Sequence, residues 1–208
     1  TNLGRCYQIK MYDIPEGKRA TKGKSIMNFL ALGGEEKVTS ILPMPKAQKS
    51  ESGSLMLVTK AGTTKKVTAE SFKDVRRSGI IAIKLPKGDE LISTVFVKKT
   101  DEIIFATALG QSMRTKESDF REMGRGAGGV RGMKLGKGDA VIGADVIRSG
   151  EEKGEFLILG SNGFGKKTPL SEYKTQNRGG SGIKTAKVTE KTGKIIVARV
   201  VRGDESEL

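Results

Sequence analysis

The chain has 208 residues, 38 of them Lys or Arg against 24 Asp or Glu, and carries a net charge of +14 with only 36% apolar and 5% aromatic residues. Such a basic excess points to a polyanionic partner, nucleic acid first and an anionic membrane surface second, while so few apolar residues make a thin, distributed core. Histidine is absent, which removes Ser-His-Asp, Cys-His and histidine–metal chemistry together.

In chain order, the first feature is a glycine turn, Leu3-Gly4-Arg5, followed by an alternating strand in which Cys6 reads as a small buried hydrophobe. Tyr12-Asp13-Ile14 lead to the basic loop 18–23, and after Gly34-Glu35 residues 38–42 read as a β-branched strand. Residues 46–53 form a polar insertion. A fuller unit follows: apolar strand 55–59, hairpin turn Lys60-Ala61-Gly62-Thr63 and polar return strand 64–68. Ser71-Phe72, loop 76–79, strand 80–85, acidic turn Gly88-Asp89 and long strand 91–97 complete it. The third unit repeats this order with strand 103–107, turn Leu109-Gly110-Gln111 and return 112–115. Asp119-Phe120, loop 124–129, strand 130–135, turn Gly138-Asp139 and strand 141–147 follow. The fourth has strand 156–159, turn Asn162-Gly163, return 166–168, Glu172-Tyr173 and loop 176–182. It ends with strand 183–188, turn Thr192-Gly193, strand 195–201 and a short acidic run at 204–207.

The turn glycines Gly4, Gly62, Gly110 and Gly163 lie 48 to 58 residues apart, and second glycines Gly23, Gly79, Gly129 and Gly182 follow them at 17 to 19 residues. A fixed order at that period marks a repeat architecture whose small, polar units must stack to bury their apolar faces. Ten residues after each turn glycine stands Ile14, Phe72, Phe120 or Tyr173, read as wedges between neighbouring units. Four strands per unit and little helical periodicity predict an all-β array arranged radially, with repeats at about 1–53, 54–100, 101–153 and 154–208. Alternation in the strands after the last two second glycines presents Arg131, Lys134, Lys184 and Lys187 outward or at an edge.

Two motifs resemble nucleotide sites and fail on context. Residues 160–168 nearly spell G-x-x-x-x-G-K-[ST], but Lys167 stands where a hydroxyl should hold magnesium and Pro169 opposes the required helix. Residues 124–129 match G-x-G-x-x-G, yet a strand rather than a helix follows. The segments between anchor and second glycine carry more weight. Each pairs Arg or Lys with small residues: Lys18-Arg19-Ala20-Thr21-Lys22-Gly23, Arg76-Arg77-Ser78-Gly79, Gly124-Arg125-Gly126-Ala127-Gly128-Gly129 and Gln176-Asn177-Arg178-Gly179-Gly180-Ser181-Gly182. Arginine forks onto phosphate oxygens, and glycine lets the backbone approach with its N–H groups exposed.

Over essentially its whole length the chain resembles the C-terminal domain of DNA gyrase A, or the related domain of topoisomerase IV. The resemblance is carried by Gly4-Arg5 with residues 12–16, Lys65-Lys66-Val67-Thr68, residues 121–125 with 129–132, and most strongly Gly163-Phe164-Gly165-Lys166-Lys167-Thr168-Pro169 with Glu172-Tyr173 and 176–182. It implies a β-pinwheel, propeller-like with strands exchanged between adjacent blades, and about six blades in the family. The chain is then a single DNA-wrapping domain holding a partial set of about four repeats, with the first and the closing blade expected outside it. The gyrase box, Q-[RK]-R-G-G-[RK]-G, belongs to the first blade; the loop of Gln176, Asn177, Arg178, Gly179, Gly180, Ser181 and Gly182 is box-like but lacks two of its basic residues and lies in a later blade.

The implied role is sequence-independent binding, bending and wrapping of double-stranded DNA, which supports ATP-dependent negative supercoiling by a type IIA topoisomerase. A propeller-type scaffold for protein partners is the alternative from another class. The phosphate contacts are expected from Arg19, Lys22, Lys65, Lys66, Arg76, Arg77, Arg114, Arg125, Arg131, Lys166, Lys167 and Arg178. No catalytic residue, metal site or cofactor is expected in this chain; ATP and magnesium belong to the rest of the holoenzyme. The expected partners beyond DNA are the gyrase A core domain and gyrase B in an A2B2 assembly. With no run of 18 apolar residues, no signal-peptide pattern and one cysteine, the expected setting is the bacterial cytoplasm, associated with the nucleoid and without a membrane.

Overall fold

The computed structural model describes residues 1–44, 53–151 and 153–202. The expected insertion at 46–53 therefore lies almost wholly outside the described residues, as does the acidic run at 204–207. Thirteen strands form among the described residues: β1 (Arg5–Cys6), β2 (Ser54–Thr59), β3 (Thr63–Thr68), β4 (Ile80–Ile81), β5 (Leu91–Val97), β6 (Glu102–Thr107), β7 (Gln111–Lys116), β8 (Val130–Arg131), β9 (Val141–Ile147), β10 (Glu155–Gly160), β11 (Gly165–Pro169), β12 (Ile183–Lys184) and β13 (Ile195–Val201). The only helical pieces described are five short 3-10 turns, and none is long or apolar enough to cross a membrane.

Units two, three and four each fold three strands on themselves and lend a fourth. In unit two the order is β5-β2-β3, and in unit three β9-β6-β7, all antiparallel. The short strand after Gly79, Gly129 and Gly182 leaves its own sheet and pairs with the unit before it. β4 pairs with β1, β8 with β3 and β12 with β7. Unit four has β13-β10-β11. This is the β-pinwheel, all-β with four-stranded blades linked by strand exchange. The lending strands hold only two paired residues each, shorter than the six read for each from the sequence, because residues beyond them turn to meet the neighbouring unit. Gly62 O, for example, accepts from Gly132 N and Met133 N.

The continuous apolar runs in β2, β6 and β10 follow from burial on both faces. Met56 and Val58 face unit three and join Ile103, Phe105, Phe120 and Met133, while Leu55 and Leu57 face the other way with Val67, Phe72 and Ile83. On unit three, Ile104 and Ala106 face unit four and join Phe156, Ile158, Leu170 and Tyr173. Three anchors serve as expected: Phe72, Phe120 and Tyr173 are buried, and the Tyr173 ring meets Phe156 edge-on at 5.6 Å.

Unit one departs from expectation. Ile14 is 44% exposed and is no wedge, because residues 1–44 contain no counterpart of β2 for it to pack on. For the same reason residues 38–42 form no strand; Ser40 Oγ instead accepts from Thr94 N on β5. Glu36 ties the segment back by accepting from Thr1 Oγ1 at 2.5 Å and Tyr7 OH at 2.8 Å.

The long strands β5, β9 and β13 stand side by side and line an open cavity of about 760 Å³ together with residues 39–43. Since β5 and β9 are at the inner end of their sheets, β8 and β12 are at the opposite, outer end.

Candidate nucleic-acid interface

The outer edge is built from a loop of one unit laid on the lent strand of the unit before it. Loop 124–129 is held to unit two through Met123 N to Lys66 O at 2.8 Å and Lys84 N to Ala127 O at 3.4 Å. Loop 176–182 is held to unit three more fully. Gln176 N donates to Arg114 O at 2.8 Å, Gly179 N to Gly132 O at 2.5 Å and Lys134 N to Gly180 O at 2.8 Å. Arg178 Nη1 also donates to Arg131 O at 3.4 Å. Loops and lent strands therefore alternate along the rim as 76–79, β4, 124–129, β8, 176–182 and β12.

Gly182 shows why glycine closes the loops of units two, three and four, where Gly79, Gly129 and Gly182 all have positive φ. Its φ of +73° is left-handed backbone, and a Cβ there would meet Ser112 O at 2.4 Å. The carbonyl of β7 sits where any other residue would place its side chain.

Of the twelve cations expected to meet phosphate, nine are exposed: Arg19, Lys22, Arg76, Arg77, Arg125, Arg131, Lys166, Lys167 and Arg178. Arg76, Arg77, Arg125, Arg131 and Arg178 belong to the alternating rim. Lys166 and Lys167 lie on β11; Lys166 Nζ donates to Thr185 O at 3.3 Å and Lys167 pairs with Glu155 at 2.7 Å. Arg19 and Lys22 stand in the exposed first-unit loop, which has no preceding sheet among residues 1–44 to rest on.

The other three, Lys65, Lys66 and Arg114, point inward, against expectation. Lys65 is completely buried and donates to Ala82 O at 2.7 Å and to Arg125 O. Burial lowers its ammonium to about 8, with the Arg125 guanidinium adding to the effect. Lys66 forms an ion pair with Glu117, whose side chain is only 6% exposed. Arg114 pairs with Glu102, donating from Nε at 2.7 Å, and reaches Leu170 O of unit four at 3.1 Å. Strands β3 and β7 lie beneath the next unit's loop, so Lys65, Lys66 and Arg114 brace the joint and do not reach out to the rim.

Lys84 was missing from the expected contacts, and Lys134, Lys184 and Lys187 were read only as outward-facing. All four are exposed. Lys84, Lys134 and Lys187 each stand five residues after a second glycine, so counting from that glycine finds these three, while Lys184 stands two residues after Gly182.

A family model described as the DNA gyrase C-terminal domain, β-propeller, matches residues 1–43, 53–98, 101–148 and 154–202. The A subunit of DNA gyrase from Staphylococcus epidermidis is 40% identical over 205 residues, and that of Staphylococcus aureus 37%. Each alignment covers 99% of this chain but 23% of the relative, so the chain spans about a quarter of those proteins' length. Among solved structures, a DNA gyrase A C-terminal domain superposes with a TM-score of 0.81 at 28% identity, over 96% of this chain and 63% of that one. The C-terminal domain of a DNA topoisomerase IV gives 0.84 over 97% and 62%, at 22% identity, a likeness of fold. Four family matches along one strand-exchanged β-array, with gyrase A relatives across its length, place this chain in the DNA gyrase C-terminal domain family.

Proposed function

We propose that this chain binds duplex DNA without sequence preference and bends it around its outer rim as the C-terminal part of a gyrase A protein. The observation that carries the reading is the register of the exposed cations. Arg76 and Arg77, Arg125 and Arg178 in the loops alternate with Lys84, Arg131 with Lys134, and Lys184 with Lys187 on and after the lent strands. Bending duplex through a half-turn over roughly 40 base pairs costs on the order of 10 kcal/mol for a persistence length of about 150 base pairs. Cations spread along an arc offset that cost where a single patch would not. All of these contacts fall on phosphate, so the domain orients DNA rather than reading it.

In the whole enzyme the bent segment would be handed to the gyrase A core, giving strand passage its sign. DNA cleavage and ATP hydrolysis would reside in that core and in gyrase B, within an A2B2 assembly in the bacterial cytoplasm. Gyrase is favoured over topoisomerase IV by the gyrase A sequences at 37% and 40% identity.

The test is duplex affinity against salt for the chain carrying Arg125→Glu, Arg131→Glu and Arg178→Glu together. The slope of log affinity against log salt should fall by about three, since each phosphate contact contributes roughly 0.9. A folded triple variant with an unchanged slope would move the rim from DNA to a protein-interaction surface.

A further inference from the structure

Lys65 is fully buried with no carboxylate paired to it among the described residues, an unusual place for a lysine. Volume alone does not demand a lysine. The residue three positions after the turn glycine is Lys65 in unit two and Met113 in unit three, and Met113 is equally buried. There the methionine sulfur lies under loop 176–182, 3.3 Å from where a Cβ of Gly180 would be.

The two loops above these side chains differ in how they are tied down. Loop 176–182 has three backbone hydrogen bonds to unit three along its length, at Gln176, Gly179 and Gly180. Loop 124–129 holds four glycines in six residues, and a Cβ at Gly124 or Gly126 would meet nothing within 4 Å. Its bonds to unit two flank the arginine, at Met123 and at Ala127. Glycine gives that segment the most conformational freedom to lose. The Lys65 ammonium supplies the missing tie, linking Ala82 O of its own unit to Arg125 O of the next.

We propose that Lys65 is a positioning residue for the DNA interface: it clamps the Arg125 backbone so that the exposed Arg125 side chain is held in line with Lys84 and Arg131. The reading rests on the DNA-binding function above. The inward cation does not touch DNA; it sets where an outward one stands.

The test combines Lys65→Met, the residue used at the equivalent place in unit three, with Arg125→Ala and the double variant, in the whole chain. Equilibrium binding to a duplex of about 40 base pairs and amide hydrogen exchange are measured on each. Lys65→Met should weaken duplex binding about 3- to 10-fold and speed exchange across 124–129 while β2 and β6 stay protected. Arg125→Ala should add little further loss in the Lys65→Met background, since the arginine is then already misplaced. Additive losses, or exchange at 124–129 unchanged from the wild type, would overturn the clamp. Absence of duplex binding by the wild-type chain would instead sink the DNA reading, with exchange still reporting on the loop. Lys65→Gln, which keeps an uncharged donor, serves if the methionine variant does not fold, and should give an intermediate exchange rate.

Discussion

Lys66 and Glu117 meet across the joint between units two and three with side chains 12% and 6% exposed. Each charge is tolerated there because the other is present. Glu117→Ala leaves a buried ammonium uncompensated, and urea denaturation should show a loss of about 3–5 kcal/mol. Lys65, one residue earlier, has no such partner among the described residues, and burial followed by the Arg125 charge brings it from 10.5 to about 8. The charge that acts on it is Arg125 in the loop, and β2 and β4 carry no residue that titrates. Between about 8 and 10.5 the unfolded chain holds this proton more tightly than the folded one, so stability rises with pH across that window. The cost of keeping the charge inside is full below the window and gone above it. Lys65→Met should abolish that part of the rise, measured as the difference between the two denaturation midpoints on either side of the window.

At the scale of the element, the lent strand is the fold's fastening, and glycine sets its position. In Gly182→Ala a Cβ would lie 2.4 Å from Ser112 O and 2.8 Å from Ser112 C, so the pairing of Ile183 with Ser112 would be forced open. The destabilisation should exceed the roughly 1–2 kcal/mol of left-handed backbone alone, with faster amide exchange in β7 and β12. Gly124→Ala is the contrast. It has open space and no left-handed φ, and its stability should equal or exceed the wild type by up to about 1 kcal/mol. Each long inner strand also has a register irregularity opposite the end of the central strand, at Val58/Thr59, Ala106/Thr107 and Leu159/Gly160. Such bulges increase local twist and recur in all three sheets that contain a long strand.

For the whole molecule, charge is sorted by direction. Lys65, Lys66 and Arg114 on return strands β3 and β7 face the next unit, whereas the cations in the loops and after the lent strands face solvent at the rim. With about 6–10 phosphate contacts, duplex affinity should drop roughly 10³–10⁵-fold between 50 and 200 mM salt. Fluorescence titration at several salt concentrations measures this, and duplexes of unrelated sequence should give the same curve. A shallow slope would mean that few of the rim cations reach phosphate at once.

The repeat itself was legible in the chain because turn chemistry is local: Gly62, Gly110 and Gly163 adopt left-handed backbone wherever they are placed, and the strands 91–97, 141–147 and 195–201 follow from β-branched runs. Phe72, Phe120 and Tyr173 were legible as packing residues through their constant distance from those glycines. What the chain could not disclose by composition or period was which sheet each short strand completes, since pairing partners of β8 and β12 lie in another unit. That exchange decides the surroundings of Lys65, Lys66 and Arg114 on the return strands β3 and β7. Lys65, Lys66 and Arg114 are read as surface cations in one dimension and become internal braces once the neighbouring unit covers them. Charge and period belong to the sequence; exposure belongs to the neighbour, because a side chain meets solvent only where no other unit arrives first.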